Sequence, residues 1–180
     1  MDEQLIKNNA SSLDPIEIEL WQALQSVNDE YDALPKGERN QSWITFSVLE
    51  KIAKIGLVNG WDTRSAVQRG GWLYDLVWVK NNSMGFVERV ILSLECELSD
   101  RSDSGLKYDF EKLFVSNSDY RVFLCFNEGN YDHPNNVNRL IEKFKNWADS
   151  YSGLPIGSRI LVLIWDDYTT GDVYPHLIIK

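Results

Sequence analysis

Apolar positions recur along the chain in two rhythms. Ile16, Leu20, Ala23, Leu24 and Val27 fall at helical spacing and predict an amphipathic helix over residues 15–30. Asp14-Pro15 supplies its start, because Asp caps and Pro fits the first helical position. Pro35-Lys36-Gly37 reads as a loop. Trp43, Phe46, Leu49, Ile52 and Ile55 step by three and predict a second helix from about residue 43 to 55, capped by Ser42 and ended by Gly56 and Gly60. Residues 61–71 lack apolar periodicity, and Gly70-Gly71 marks a turn.

The rhythm then shifts to strands. WLYDLVWVK (72–80) is rich in aromatic and β-branched residues, Asn81 to Gly85 reads as a hairpin loop, and FVERVILSLECEL (86–98) is long enough for a central strand. SDRSDSG (99–105) is a polar loop. KYDFEKLFVS (107–116) reads as a helix with Phe110, Leu113 and Phe114 on one face. YRVFLCF (120–126) is a strand, 127–136 a loop, and 137–149 a helix through Val137, Leu140, Ile141, Phe144 and Trp147. RILVLIW (159–165) is continuously apolar, as a strand covered on both faces would be. VYPHLII (173–179) is the last strand and belongs at an edge, since Pro175 cannot donate to a ladder. The succession predicts an α/β fold: a mixed central sheet flanked by helices, with an antiparallel hairpin feeding a partly parallel sheet. No repeat or linker interrupts it, so residues 1–180 read as one domain, with 1–13 a loose terminus.

Composition narrows the class without naming an activity. Hydrophobic residues make up 43% and charged residues 25%, which is ordinary globular usage and argues against disorder. No apolar run approaches a membrane span, and the N-terminus is polar and acidic, so a soluble, cytoplasmic protein without a membrane partner is expected. Eighteen basic against 27 acidic residues give a net charge of −9, which disfavours coating nucleic acid unaided. Lys36 to Gly71 runs the other way, with Lys36, Arg39, Lys51, Lys54, Arg64 and Arg69 outnumbering Glu38, Glu50 and Asp62. Its plainer reading is a solvated helix and loop face; the other is a phosphate-tracking surface. Cys96 and Cys125 lie in apolar runs and form no CxxC, so zinc ribbons and disulfide frameworks are excluded as explanations. His133 and His176 offer too little for a histidine zinc site or a Ser-His-Asp triad, and no phosphate-binding glycine loop or GxSxG is present.

The informative signal is acid on apolar strands. Asp75 interrupts Trp72–Trp78, and Glu95 and Glu97 close a strand that is apolar from Val90 to Leu94. Glu95 and Glu97 share one face by strand alternation, with Cys96 opposite. Asp75 lies roughly eight residues before Ser83 and Glu95 roughly twelve after it, so symmetric pairing does not set them opposite, but a bulge or offset register would. Converging carboxylates repel, and a hard divalent cation relieves the repulsion. Two readings stand on spacing alone. One is a cation site at Asp75 and Glu95 with Glu97 nearby. In the other, the glutamates lie at a solvated strand end and Asp75 is salt-bridged. Lys107 and Lys112 follow on the next helix. Lys112 either serves such a site as the cation that orients water or stabilises charge, or is a surface lysine paired with Asp109 at i,i+3.

Together, Asp75, then Leu94-Glu95-Cys96-Glu97-Leu98, then Asp109-Phe110-Glu111-Lys112-Leu113 resemble the PD-(D/E)XK, or restriction-endonuclease-like, nuclease superfamily. They are similar to divergent bacterial members in which Glu-x-Lys has become Glu-x-Glu and the lysine has moved to the following helix. The resemblance covers roughly residues 42–126. It implies a restriction-endonuclease-like α-βββ-α-β core and a Mg²⁺ (or Mn²⁺) dependent nuclease cutting nucleic-acid phosphodiesters. Asp75 and Glu95 would hold the ion with the Cys96 backbone carbonyl, and Lys112 would replace the motif lysine. Glu50 would correspond to the acidic helix residue of some members, or it pairs with Lys54. Glu97, where lysine is expected, is either a metal or water ligand or the mark of lost catalysis. A catalytically inactive relative, working as an acidic protein-binding module that mimics nucleic acid or inhibits a basic partner, is the competing expectation; Trp and Tyr are abundant and favour interfaces.

Overall fold

The Asp14 carboxylate accepts from the Glu17 amide at 3.0 Å while Glu17 reaches back to the Asp14 amide at 2.9 Å, a reciprocal cap that starts α1 (Pro15–Ala33). The computed structural model describes residues 11–66, 72–127, 136–166 and 171–180. Asn40, not Ser42, caps α2 (Gln41–Val58), accepting from the Trp43 amide at 3.0 Å. Gly56 does not end α2; it lies inside the helix, and Gly60, at φ +80°, makes the turn beyond it. Then come β1 (Asp62–Ser65), β2 (Leu76–Asn81), β3 (Val87–Glu97), α3 (Asp103–Lys112) with a 3₁₀ turn at Leu113–Val115, β4 (Ser118–Phe126), α4 (Asn136–Ser150), β5 (Arg159–Trp165) and β6 (Val173–Ile179).

Among the described residues, these elements form an α/β fold with four helices on a six-stranded mixed sheet in the order β1-β2-β3-β4-β5-β6. Strands β3, β4 and β5 are mutually parallel and the outer pairings are antiparallel. The crossovers through α3 and α4 lie on one face of the sheet, as same-handed crossovers advancing in one direction must. Helices α1 and α2 cover the other face. Strand alternation divides the core accordingly. Leu92, Leu94, Leu124, Leu163 and Trp165 pack under α1 and α2; Phe123, Cys125, Val162 and Ile164 pack under α3 and α4. Phe110 of α3 sits at the centre of the second layer, 5.4 Å from the Phe123 ring and 4.8 Å from Phe144. Such aromatic pairs contribute about 0.5–1.5 kcal/mol each beyond burial.

The expected strands at 159–165 and 173–179 are observed with those bounds, and β6 is an edge strand. Three differences have local causes. Strand β1 was not expected; its sequence, DTRS, is polar because it forms the other edge. Strand β2 starts at Leu76, leaving Trp72–Asp75 as an irregular approach. Helix α3 starts four residues early, where Ser102 caps the Gly105 amide at 3.2 Å, and its last turn tightens to 3₁₀. The turn expected at Gly70-Gly71, Arg69, His133 and most of the 127–136 loop lie outside the described residues.

Candidate active site

On the face covered by α3 and α4, β5 presents apolar side chains and β4 presents Phe123 and Cys125 beyond Arg121, but β3 presents Ser93, Glu95 and Glu97. A polar stripe inside the second layer needs partners, because an unpaired buried polar group is costly. Ser93, fully buried, accepts from the Ser116 hydroxyl at 2.8 Å, and Ser116 meets Ser118 at 2.6 Å. Further along β3 the partners become charged.

The β2–β3 ladder carries register shifts between Trp78 and Val79 and between Lys80 and Asn81. These take up the unequal arms of the hairpin and set Leu76 opposite Leu94, so that Asp75, just before β2, lies beside the end of β3 that carries Glu95 and Cys96. Asp75 is half-buried, and its Oδ2 accepts from the Cys96 amide at 2.8 Å. Glu95 is 2% exposed. Its Oε2 accepts from Lys112 Nζ at 2.7 Å, while its Oε1 is buried without a hydrogen-bond partner. Burial raises the Glu95 carboxyl to about 8; the Lys112 bond opposes that rise and the Asp75 charge adds to it. Burial also works against the Lys112 ammonium, but its bonds to Glu95 and to Asp109 Oδ1, 3.1 Å away, outweigh burial and hold it above the ordinary lysine range. Lys112 therefore stays cationic while Glu95 titrates.

Lys112 reaches Glu95 because the end of α3 is anchored. Arg121 of β4, 7% exposed, donates through Nε to the Leu113 carbonyl at 3.2 Å and through Nη2 to the Ser116 carbonyl at 2.7 Å. The Tyr74 hydroxyl approaches the Lys112 carbonyl at 3.4 Å. A cation at the last turn also suits the helix dipole.

Glu97 is turned into the β3–α3 connection. Its Oε1 accepts from the Ser99 amide at 2.7 Å, the Ser99 hydroxyl at 2.6 Å and the Asp100 amide at 2.6 Å. Burial would raise its carboxyl, but these bonds and a contact with Asp109 bring it below the usual range. Asp109 moves up, through burial and the neighbouring Glu97, against the pull of Lys112.

Asp75, Glu95 and Lys112 thus come together, with Glu97 linked to them through Asp109. Glu50 does not join: it pairs with Lys54 at 3.3 Å, as Lys107 does with Glu111 at 3.6 Å. Cys96 is half-buried on the α1/α2 side, with only its backbone at the site. Sequence reading missed Tyr74 and Arg121. Arg121 carried the signal that singled out Asp75, a lone charge in an apolar strand. Among the described residues, no group of three or more His, Cys, Asp or Glu side chains gathers into a metal-holding set. The described basic residues of 36–71 other than exposed Lys36 form ion pairs: Arg39 with Asp32 at 3.6 Å, Lys51 with Glu30 at 2.8 Å, Lys54 with Glu50, and Arg64 with Asp62 at 3.4 Å. Compared with family models, curated proteins and solved structures, the chain matches none.

Proposed function

We propose that Asp75, Glu95 and Lys112 form the centre of a divalent-cation-dependent nuclease with a restriction-endonuclease-like core. The observation that carries this reading is the orphaned Oε1 of the buried Glu95, beside Asp75 and one atom from an oxygen already bound to Lys112. An unsatisfied buried carboxylate oxygen costs about 1–3 kcal/mol or more, and a hard cation is a partner that satisfies it. Among the described residues, the order α2-β1-β2-β3-α3-β4 supports the reading, with β1, β2 and β3 falling between α2 and α3.

The donor set fits a small hard ion only in part. Asp75 and Glu95 supply two carboxylates, with the Cys96 carbonyl and water for the remaining positions, a pattern Mg²⁺ or Mn²⁺ accepts because it keeps several waters. Bound there, the ion would polarise a phosphodiester oxygen and lower the pKa of its water. The chain's own residues do the rest. Glu95, on a rigid central strand, fixes position; Asp75, tied to the Cys96 amide, keeps its second oxygen for ligation; and Lys112, on its anchored turn, orients the attacking water and offsets developing phosphorane charge. Glu97 holds the β3–α3 connection and, through Asp109, the setting of Lys112.

The test is cleavage of single- and double-stranded DNA and RNA with Mg²⁺ or Mn²⁺. Asp75→Ala, Glu95→Gln and Lys112→Met should each reduce the rate by about 10²-fold or more while circular dichroism stays unchanged. Parental rates in all three variants would remove the assignment. The Lys112–Glu95 pair favours one other reading, in which the lysine neutralises the site internally and the acidic chain is a silent protein-binding module. Calorimetry separates them: Asp75-dependent uptake of Mn²⁺ supports the nuclease, and no uptake at millimolar metal supports the module.

A further inference from the structure

Helix α2 is apolar on more than the face it buries. The three-residue steps from Trp43 to Ile55 do not run straight along a helix, because each step falls about 60° short of a full turn. Leu49, Ile52 and Ile55 stay in the core, while Phe46 comes round to solvent and is half exposed. Leu57 and Val58 are exposed at the far end, Val58 by 84%. At about 100° per residue, Phe46, Glu50, Lys54 and Leu57 share one sector of roughly 80°, with Val58 at its margin. Half of the exposed residues of α2 are large and apolar, whereas every exposed residue of α4 over 137–150 is polar or charged. A helix that is apolar outside as well as inside calls for a second covering surface.

The order of residues along this stripe says what covers it. Phe46 begins it, Glu50 and Lys54 fill the middle, and Leu57 and Val58 end it. The middle pair is joined, Lys54 Nζ to Glu50 Oε1 at 3.3 Å. Turned end for end about a two-fold axis near residue 52, the stripe is its own complement. Phe46 then meets Leu57 and Val58 of the copy, and Glu50 meets the copy's Lys54. Each internal pair stays intact, because a carboxylate accepts at both oxygens and an ammonium donates three hydrogens. The two pairs close a ring of four alternating charges between two apolar contacts about 18 Å apart.

We propose that the outer face of α2 docks, antiparallel, on the same face of a second copy of this chain. A purely acidic or purely basic partner would set a like charge against one member of the Glu50–Lys54 pair, and a second copy does not. A single pair of helices buries less than the roughly 1,200–2,000 Å² of stable complexes, so the dimer is weak, with a dissociation constant of about 10–100 μM. Helix α2 covers the face of the sheet away from Glu95, so the proposal stands apart from the metal reading.

Sedimentation equilibrium of the full chain from about 5 to about 500 μM tests it. The parent should pass from the mass of one chain towards that of two. Val58→Glu, at the most exposed of the apolar positions, should weaken association about tenfold or more with circular dichroism unchanged. Glu50→Lys and Lys54→Glu should each do the same, because each sets four like charges together. Mixed in equal amounts, those two charge variants should associate with each other, since one supplies the cations and the other the anions. A single mass at every concentration overturns the proposal and leaves the face to a partner of another kind. A dimer that Val58→Glu leaves unchanged, or a mixture of the charge variants that stays monomeric, overturns it as well.

Discussion

At Glu95 a single side chain is asked to satisfy conflicting demands. It sits where the fold needs apolar surface, keeps one oxygen for Lys112 and leaves the other without a bond. Its carboxyl titrates at about 8 in the folded chain and near the ordinary glutamate value when unfolded. Between those values the folded state binds more protons than the unfolded one, so this residue's contribution weakens as pH rises through that window. Urea denaturation of the parent and of Glu95→Gln from pH 4 to pH 9 reads this directly. The parent should lose stability relative to the variant as pH rises, and parallel curves would show that Glu95 does not titrate there. The prominence of Asp75 and Glu95 was legible, because acid in an apolar strand stands out without any tertiary knowledge. Their convergence was legible only as a possibility requiring a bulge, and the ladder contains two register shifts. What Glu97 does was not legible. Its three donors come from a turn whose shape depends on where α3 begins.

The elements were read best where a buried stripe or unbroken apolar run imposed a period, as in α4 and β5. They were read worst where polar residues make the local structure. The first turn of α3 reads as loop because Ser102 and Asp103 favour turns and caps alike, and only the Gly105 amide on Ser102 decides between them. Gly56 illustrates the opposite error. It looks like a stop, but its lack of a side chain lets α2 lie against the sheet: a Cβ there would come within 2.5 Å of the Trp78 indole nitrogen and 2.7 Å of Thr63 Cγ2. That indole donates to the Ile52 carbonyl at 3.1 Å, so it is not free to step aside. Gly56→Ala should therefore destabilise by about 1–3 kcal/mol despite its better helix propensity, seen as a lower urea midpoint. Asp14→Ala, which removes the cap of α1, should cost about 1 kcal/mol in the same measurement.

For the whole molecule, the α/β class, the partly parallel sheet and its edge at β6 followed from the order and character of the segments. The charge distribution did not. Within a stretch that looks basic in sequence, Arg39, Lys51, Lys54 and Arg64 are each paired in place with acids from α1, α2 and β1. A chain of −9 with its cations spent in this way repels itself. Raising sodium chloride from about 20 to about 200 mM should raise its thermal midpoint slightly, because screening relieves long-range repulsion more than it weakens short pairs. Across the molecule, Arg159 of β5 donates to Glu17 of α1 at 3.0 Å, joining α1 to β5.

The sheet's two margins have a consequence for life at high concentration. A bare edge recruits strands from other molecules, and here each margin is made a poor template. One ends in the four residues of β1; the other places Pro175 opposite Leu163, where a residue without an N–H fits only if that position turns outward. Pro175→Val would restore a donor along an apolar rim beside Tyr174 and Leu177. Light scattering over a concentration series should then show self-association that grows faster than the parent's, while identical scattering would mean that the ring is not what keeps neighbouring chains apart.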